Sequence, residues 1–222
     1  MRYAAIIAAL IVGSATGCVS SGPTDDPFER KFTWKSYLAG DDLWPQCKAG
    51  SAAALRLVYN ADYERQVRSY DLTRRADGGW ALTMNVRRTP TVNRIDLSDP
   101  LATWRGERFD ADLTAEQGAR LVAALERSGL DRPPEVQRLE SDSFYWLVGA
   151  CLEGRWRQNA WDQPSGRIAQ AAFIGVLAAF DPSRIALPPP EAPPTLMARE
   201  RLKHAPFAVT LRNGAVTDIR FK

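Results

Sequence analysis

Residues 80–86, WALTMNV, alternate strictly between large apolar side chains and small or polar ones. A period of two predicts a β-strand, and the apolar positions predict that one of its faces is buried. ALRLVYN at residues 54–60 and YERQVRSYDL at 63–72 show the same period, and ADGG at 76–79 is a turn signal before the third strand. Residues 53–88 therefore predict a β-meander with one buried face. The residues expected on its inward face include Leu55, Leu57, Tyr59, Trp80, Leu82, Met84 and Val86.

Two helices are expected after the meander. In LTAEQGARLVAALERSGL, residues 113–130, the apolar period lengthens to that of an amphipathic helix. Thr114 and Gln117 have the spacing of a capping box, and Gly129 suits the end of the helix. The second helix is expected over residues 165–180, where the side chains are apolar on nearly all sides. Such a helix should be deeply buried, because it is too short to cross a bilayer.

Further strands are expected in the C-terminal half. Residues 143–161, SFYWLVGACLEGRWRQNAW, predict two strands joined by a turn at 153–154. FAVTLRNGAVTDIRF at 207–221 predicts a hairpin around an Asn-Gly pair. A two-residue loop would put Asp218 on the apolar face, whereas a three-residue loop over 212–214 keeps the apolar residues of both strands together. We therefore expect the three-residue loop.

Together these segments predict an α+β fold. An antiparallel sheet, made of the meander and the C-terminal hairpin, carries two main helices packed on one side. Residues 31–222 are expected to form a single domain, because 45% hydrophobic and 25% charged residues are ordinary proportions for a globular protein. LPPPEAPP at 187–194 is expected to be an extended, proline-rich segment on its surface.

The chain begins MRYAAIIAALIVGSATGC. Residues 1–17, with Arg2 before a short apolar run, have the layout of a secretory signal peptide, and the run is about half as long as a membrane-spanning helix. A cut between Gly17 and Cys18 would suit either a plain secreted protein or a lipoprotein. ATGC at 15–18 resembles the lipobox of bacterial lipoproteins, although leucine is commoner than alanine at its first position. This resemblance covers the first 18 residues only, and it implies that Cys18 is acylated.

The resemblance also implies a location. In that family the cysteine carries a diacylglyceryl group and often a third acyl chain such as palmitate, and several chains hold a protein firmly on a membrane. Val19 rather than aspartate follows the cysteine, which in that family favours the outer membrane, here on its periplasmic side. Residues 18–30 are polar, contain two prolines and lack an apolar period. They are expected to form a flexible tether between the lipid and the domain.

Two cysteines remain once Cys18 is assigned to the lipid. An even pair in an exported protein predicts a disulfide bond between Cys47 and Cys151. The alternative is a pair of buried thiols that do not meet. Because the sequence has no CxxC pair and a single histidine, it predicts no metal site and no cofactor.

The sequence favours a protein without catalytic residues. It lacks the GxSxG, P-loop, HExxH and SxxK patterns, and its one histidine, His204, is more typical of a surface position than of a catalytic triad. General acid–base chemistry would then depend on carboxylates, although acidic residues in loop-like sequence also cap helices and face solvent. The carboxylate pairs are Asp41 with Asp42, Asp110 with Asp112, and Glu140 with Asp142.

Arginine and aromatic residues form a candidate binding face. They occur in two groups, one in the second strand of the meander and one after the turn at 153–154. If these two strands are neighbours, their side chains would form a groove for an anionic or carbohydrate polymer, because guanidinium groups bind phosphates and carboxylates, and aromatic rings suit sugars. The alternative, which the sequence favours, is a solvated sheet face with its tryptophans turned into the core. The residues are Arg65, Arg68, Tyr70, Arg155, Trp156 and Arg157.

Two functions agree with these features. The favoured one is a non-catalytic lipoprotein of the cell envelope that binds a partner protein or an anionic envelope polymer. The alternative is a lipid-anchored hydrolase that uses carboxylates on an envelope polymer. A net charge of +3 is too balanced to predict a nucleic-acid partner, and no pattern predicts the oligomeric state.

Overall fold

The computed structural model describes residues 19–24, 26–63, 65–88, 106–190 and 207–221. These residues form an α+β fold with a six-stranded sheet, a three-stranded sheet and three α-helices. The strands are β1 (Ala54–Ala61), β2 (Gln66–Arg74), β3 (Trp80–Arg88), β4 (Glu107–Leu113), β5 (Val136–Glu140), β6 (Phe144–Leu152), β7 (Arg155–Asp162), β8 (Phe207–Arg212) and β9 (Ala215–Phe221). The helices are α1 (Pro27–Ala39), α2 (Ala115–Arg127) and α3 (Phe173–Ala178), and short 3-10 helices cover Trp44–Gln46 and Arg167–Gln170.

Both sheets are antiparallel, as predicted, but the C-terminal hairpin pairs with β5 in a sheet of its own and does not join the meander, which corrects the prediction of a single sheet. The larger has the strand order β4-β3-β2-β1-β6-β7, and the smaller has the order β5-β8-β9. The meander predicted over residues 53–88 is confirmed as β1, β2 and β3, which pair consecutively. The strand pair predicted within residues 143–161 is confirmed as β6 and β7, and β6 pairs with β1.

The larger sheet is covered on both faces, which corrects the prediction of one buried face. One face packs against α2 and α3, and the other packs against α1 and the three-stranded sheet. Strand β6 is consequently buried along its whole length, whereas the edge strand β4 is mostly exposed. All seven residues predicted to point inward lie in the core beneath α2 and α3, namely Leu55, Leu57, Tyr59, Trp80, Leu82, Met84 and Val86.

Helix α2 begins with the predicted capping box. The side-chain oxygen of Thr114 accepts a hydrogen bond from the N–H of Gln117 (3.2 Å), and Oε1 of Gln117 accepts one from the N–H of Thr114 (2.8 Å). Both bonds satisfy N–H groups that have no partner within the helix. Leu121 and Leu125 are fully buried against the sheet, as the apolar stripe of the helix requires.

The second predicted helix is wrong in its extent. Residues 167–170 form a 3-10 helix, and α3 covers only Phe173–Ala178. Only Phe173 and Leu177 of α3 are fully buried. Much of the apolar run consists of alanine, which buries little area, so a continuous helix here would gain little from packing. The predicted placement is nevertheless right, since α2 and α3 pack on the same face of the sheet.

Helix α1 lies on the opposite face of the sheet. Its first turn consists of residues 27–30, so the prediction that these residues belong to a flexible tether is wrong. Asp26 accepts hydrogen bonds from the N–H groups of Phe28 (2.8 Å) and Glu29 (2.9 Å), and Pro27 lies at the start of the helix. An aspartate cap followed by proline is a favourable helix start. Gly40 ends the helix with a positive φ of 75°.

Residues 19–24 also contact the domain. The N–H of Ser20 donates to Oγ of Ser36 in α1 (2.9 Å), and Ser20 is 3% exposed. Oγ of Ser20 accepts a hydrogen bond from the N–H of Gly22 (3.1 Å). This part of the predicted tether therefore lies along α1 instead of extending away from it.

The C-terminal hairpin has the predicted faces but a different turn. Asn213 and Gly214 form a two-residue turn with φ of 47° and 83°. The register then shifts between Thr210 and Leu211, and this β-bulge restores the apolar face. The predicted three-residue loop is therefore wrong, because the bulge and not the loop absorbs the extra residue. The pairs on the apolar face are Phe207 with Phe221 and Val209 with Ile219.

Cys47 and Cys151 form the predicted disulfide bond, with their Cα atoms 5.5 Å apart. The bond joins the segment after α1 to β6. None of the described helices has both the length and the apolar character that crossing a membrane requires. The lipobox with Cys18, the side chain of His204 and residues 191–194 of the proline-rich segment lie outside the described residues.

Candidate functional site

The two halves of the predicted binding face lie on strands that are not neighbours. One half lies in β2 and at Arg65 just before it, the other half lies in β7, and β1 and β6 lie between the two strands. The structure therefore does not bring the six residues together. Their individual contacts give packing roles to three of them, Arg68, Tyr70 and Trp156.

Arg68 and Tyr70 point into the core on the side of α3. Arg68 is 0% exposed, and its Nη1 lies 2.5 Å from Oδ2 of Asp181. The hydroxyl of Tyr70 donates to the same oxygen (2.9 Å), and burial together with the charge of Asp181 raises the pKa of Tyr70. Nη2 of Arg68 donates to the carbonyl oxygens of Ile185 (2.6 Å) and Ala186 (2.7 Å). Both side chains thus hold residues 181–186 against the sheet.

The arginines at the ends of the two strands are separated as well. The guanidinium carbon of Arg65 lies 5.8 Å from the centre of the Phe144 ring. Nη2 of Arg155 is 3.6 Å from Glu153, and Nη1 of Arg157 is 3.7 Å from Glu126 in α2. These exposed or partly exposed ion pairs contribute little to stability.

Trp156 packs within the protein near α1. A Cβ atom placed on Gly40 would lie 2.5 Å from its indole, and one placed on Gly149 would lie 2.6 Å from it. Contacts this close show that glycine at both positions makes room for the ring. Trp156 therefore packs between the end of α1 and β6.

The predicted carboxylate pairs all make structural contacts. None of their six residues lines the three cavities described below. Asp42 pairs with Arg56, Asp110 accepts from Thr83, Asp112 pairs with Arg75, and Glu140 pairs with Arg138.

A narrow groove lies between α1 and the outer face of β2 and β3. Its floor consists of two cross-strand pairs, Val67 with Arg87 and Ser69 with Asn85. The free space amounts to about 510 Å³ when the open mouth is counted, but the centre of a water molecule fits in only about 40 Å³ of it. Inside its mouth the groove thus has room for a few water molecules or one small polar group, and a larger ligand would lie across the mouth. Its walls include Arg30, Thr33, Trp34, Tyr37, Tyr63 and residues 22–24.

Arg87 carries a positive charge into this groove. Its Nη2 donates to the carbonyl oxygen of Tyr63 (2.6 Å), and its guanidinium carbon lies 4.0 Å from the centre of the Tyr63 ring. Within the described part of the chain, no carboxylate forms an ion pair with Arg87. Burial lowers the pKa of Arg87, and the positive charge of Arg30 acts in the same direction. An anion in the groove would favour the charged form of Arg87.

Two buried polar atoms beside the groove have no hydrogen-bond partner in the described structure. They are Nε1 of Trp34, a donor, and Oδ1 of Asn85, an acceptor. Trp34 is 8% exposed, and both residues line the groove. A buried polar atom without a partner costs about 1–3 kcal/mol. Both atoms are shielded from solvent, so a ligand would remove these costs only by entering the groove far enough to contact them.

A buried polar network fixes the position of α1 above the groove. The hydroxyl of Tyr37 donates to Oδ2 of Asp71 (2.5 Å), and Asp71 also accepts from Nε of Arg56 (2.7 Å). Burial raises the pKa of Tyr37, and the charge of Asp71 adds to this effect. Burial likewise raises the pKa of Asp71, against the opposing charge of Arg56. The wall of the groove that α1 provides is therefore rigidly attached to the sheet.

In two other cavities the acidic side chains are already paired with arginines. One of about 610 Å³, open mouth included, lies beside α3 and contains Asp181, whose carboxylate is already paired with Arg68. The other, about 800 Å³ by the same measure, is an open cleft between α2 and the sheet that is lined by Glu126, Glu153 and Arg157. In the described ranges no three His, Cys, Asp or Glu side chains are close enough to hold a metal ion.

Sequence reasoning missed the groove because it assigned one wall to a tether. Asn85 faces outward from the meander as predicted, but α1 covers it where solvent was expected. A signal for α1 was present in the sequence, since Asp26-Pro27 is a typical helix start. The buried residues of α1 follow it at helical spacing and include Thr33, Trp34, Tyr37 and Leu38.

No protein-family profile matches the sequence, and no curated protein matches it either. Among solved structures, the chain is similar to one described as crystal structures of Trypanosoma bruciei MRP1/MRP2, with 12% sequence identity and a TM-score of 0.22. The match covers 57% of this chain and 84% of the other. A likeness this weak carries no argument about function.

Proposed function

We propose that this chain is a non-catalytic lipoprotein of the bacterial cell envelope that binds an anionic sugar polymer in the groove between α1 and the sheet. One observation carries the binding part of the proposal. Among the described residues, Arg87 has no carboxylate partner in the groove, and Nε1 of Trp34 and Oδ1 of Asn85, which line the same groove, have no hydrogen-bond partner.

The envelope location is supported by the sequence of residues 15–18, which resembles a lipobox. Acyl chains on Cys18, palmitate among them, would hold the chain on the outer membrane on its periplasmic side. The disulfide bond between Cys47 and Cys151 agrees with an oxidising compartment such as the periplasm.

The groove chemistry supports an anion that also carries hydroxyl groups. A carboxylate or phosphate would pair with the guanidinium of Arg87, and a charge-assisted hydrogen bond of this kind is about twice as strong as a neutral one. A hydroxyl group both donates and accepts, so it can satisfy Asn85 Oδ1 and Trp34 Nε1. The partly exposed ring of Tyr63 would contact the sugar. Acidic sugars of the cell wall, or the phosphate-bearing sugars of lipopolysaccharide, combine these features.

The decisive experiment replaces Arg87 by methionine, which keeps the length of the side chain and removes its charge. Binding of soluble peptidoglycan fragments and of lipopolysaccharide is measured by calorimetry with the purified wild type, with Arg87→Met and with Arg127→Met. Arg127 is an exposed arginine of α2 on the opposite face of the sheet and serves as the matched control. We expect Arg87→Met to bind about 10- to 100-fold more weakly, and Arg127→Met to bind like the wild type.

Stability provides an independent readout for the same variant. A half-buried guanidinium without a carboxylate partner is unfavourable in the free protein, so Arg87→Met should be as stable as the wild type or more stable. A purely structural role would instead lower the free energy of unfolding. Equal affinity of Arg87→Met and wild type for both polymers would contradict the proposal. Capture of an envelope protein through the same groove, with neither polymer bound, would replace the polymer by a protein ligand.

The anchor is tested separately. Mass spectrometry of the mature protein should show a chain that begins at Cys18 and carries the mass of a diacylglyceryl group, with or without a third acyl chain. A chain that retains Met1, or one that begins at Cys18 without lipid, would exclude the anchor.

A second candidate function, a carboxylate-dependent hydrolase, is favoured by one observation. Glu126 and Glu153 both line the open cleft between α2 and the sheet. Each already lies within 3.7 Å of an arginine, Arg157 and Arg155 respectively, which argues against a free acid and base pair. Release of reducing ends from peptidoglycan by the wild type, and loss of this activity in Glu126→Gln or Glu153→Gln, would establish the hydrolase instead.

A further inference from the structure

Helix α1 has an exposed stripe that its packing against the sheet does not use. Phe28, Lys31, Phe32 and Lys35 recur at spacings of i, i+3, i+4 and i+7, which places them on one side of the helix. We call these four residues the α1 stripe. All four are exposed, Phe28 by 62% and Phe32 by 68%. Among the described residues, both phenyl rings remain mostly exposed. A surface outside the domain is therefore the natural binding partner of the stripe.

The composition of the α1 stripe matches a membrane interface. Helices that lie in the plane of a bilayer bury aromatic and aliphatic residues at the boundary between headgroups and acyl chains, with lysines flanking them. Lysine extends its ammonium group to anionic headgroups while its methylene groups stay on the apolar surface. Glu29, which lies beside the stripe, accepts a hydrogen bond from the hydroxyl of Thr24 (2.8 Å), so its carboxylate is engaged with the N-terminal segment.

The N-terminal segment brings the lipid attachment point close to the α1 stripe. The N–H of Ser20 donates to Oγ of Ser36, and Ser36 lies one helical turn after Phe32. Cys18 precedes Ser20 by two residues, and two residues span at most about 7 Å. A lipid on Cys18 would therefore hold this side of α1 within reach of the headgroups, which a long flexible tether would not do.

We propose that the α1 stripe docks on the anionic bilayer surface to which the lipid on Cys18 anchors the chain. The inference rests on the lipid anchor of the proposed function and is independent of ligand binding in the groove. Because the anchor supplies a high local concentration of membrane, a weak interaction of the stripe is sufficient. Docking would hold the face of the sheet that carries α1 toward the membrane and so fix the orientation of the domain.

The test uses the mature chain, from residue 18 onward, with Cys18→Ser, so that neither an acyl group nor the apolar run of the signal peptide obscures the contribution of the stripe. The purified protein is sedimented with vesicles of phosphatidylcholine alone and with vesicles that contain 30% phosphatidylglycerol. We expect binding to the anionic vesicles that weakens with added salt, and little binding to the neutral ones.

Two double variants in this background test the stripe itself. Lys31→Ala with Lys35→Ala should weaken binding about five-fold for each lysine removed. Phe28→Ser with Phe32→Ser should weaken it about ten-fold. Since all four side chains are exposed, both variants should fold normally, which circular dichroism checks.

Matched controls remove the same chemistry elsewhere. Arg120→Ala with Arg127→Ala takes two positive charges from the exposed side of α2, and Phe221→Ser removes an aromatic ring that is 61% exposed in β9. Both controls should bind vesicles like the parent protein. Absence of binding to anionic vesicles, or equal binding by the stripe variants and the parent, would overturn the inference. Neither result affects groove binding, which is measured in solution without vesicles.

Discussion

Arg56 and Asp42 form a bidentate ion pair inside the protein, with Nη1 2.7 Å from Oδ1 and Nη2 2.8 Å from Oδ2. The same guanidinium donates through Nε to Asp71 (2.7 Å) and through Nη1 to the carbonyl oxygen of Tyr37 (2.9 Å). Arg56 lies in β1 and Asp71 in β2, whereas Tyr37 belongs to α1 and Asp42 follows it. One side chain therefore joins the sheet to the helix that forms a wall of the groove.

We expect Arg56→Met to lower the free energy of unfolding by about 3–5 kcal/mol, because it leaves buried carboxylates without their counter-charge. Urea denaturation followed by circular dichroism measures the change. Arg75→Met is the matched control, since Arg75 pairs with Asp112 at the surface, where their side chains are 38% and 69% exposed. The control should change stability by less than about 1 kcal/mol. Equal losses of free energy of unfolding in the two variants would show that the buried network of Arg56 stabilises the fold no more than a surface ion pair does.

The pH dependence of stability should reveal the raised pKa of Asp71. Burial raises this pKa, and the charge of Arg56 offsets the effect only in part. A carboxyl with a higher pKa in the folded chain contributes stability that is present below its unfolded pKa of about 4 and is lost as pH rises through the folded value. Asparagine at position 71 does not titrate, so Asp71→Asn does not lose this stability as pH rises. We therefore expect it to gain stability relative to the wild type as pH rises from about 4, measured by urea denaturation between pH 3.5 and 7.

Asp110→Asn is a control of opposite sign. Hydrogen bonds from Arg108 and Thr83 lower the pKa of Asp110, so its contribution is present above the unfolded pKa and is lost as pH falls. Asp110→Asn should thus lose stability relative to the wild type as pH rises. The effect should be small, because Asp110 is exposed. A difference between Asp71→Asn and wild type that is constant with pH would contradict the raised pKa.

Local sequence patterns predicted the elements whose stabilising contacts are also local. The alternation of residues 80–86 places the apolar side chains of β3 on one face, and it is enough to define that strand. The capping box of α2 needs only Thr114 and Gln117, three residues apart. The disulfide bond is an exception: its cysteines are 104 residues apart, and it was predictable only because Cys47 and Cys151 were the two left once Cys18 was assigned to the lipid.

The environments that depend on distant residues were not predictable. Arg68 occupies a polar strand in the sequence, yet it is fully buried because Asp181, 113 residues later, neutralises it. The groove requires α1 to cover Asn85, and no local pattern shows which face of a sheet a distant helix covers. In the hairpin, a two-residue turn suits the Asn-Gly pair, and the bulge after Thr210 keeps the apolar residues on one face. The sequence pattern alone suggested that the turn and the apolar face could not both be kept.

Loss of the disulfide bond should lower stability strongly. Cys47 and Cys151 are 104 residues apart in sequence, and closing a loop of this length in the unfolded chain is worth about 4–5 kcal/mol in the chain-entropy model. We expect the double variant Cys47→Ser with Cys151→Ser to lose about this much free energy of unfolding. The wild type treated with reductant should behave in the same way.

Cys18→Ser provides the control for this prediction, since it removes a thiol that is not part of the bond. Its denaturation midpoint should match that of the wild type without reductant and should fall when reductant is added. A midpoint that does not respond to reductant in either protein would mean that the bond is absent in solution.

Gly118 in α2 lies directly against the indole of Trp80. An added Cβ at Gly118 would be 1.9 Å from Nε1 of Trp80, whereas one at Gly175 in α3 would meet nothing within 4 Å. Replacing glycine by alanine inside a helix normally stabilises it by about 1 kcal/mol. We therefore expect Gly175→Ala to raise the free energy of unfolding, and Gly118→Ala to lower it by about 1–3 kcal/mol through steric overlap.

The opposite changes in free energy of unfolding expected for these two variants, both measured by urea denaturation, test whether the indole of Trp80 packs directly against α2. Trp80→Leu in the Gly118→Ala background should recover part of the loss, because the smaller side chain leaves room for the new methyl group. The double variant should then be less destabilised than the sum of the single ones. Stabilisation by Gly118→Ala equal to that by Gly175→Ala would instead show that the indole does not rest on the helix.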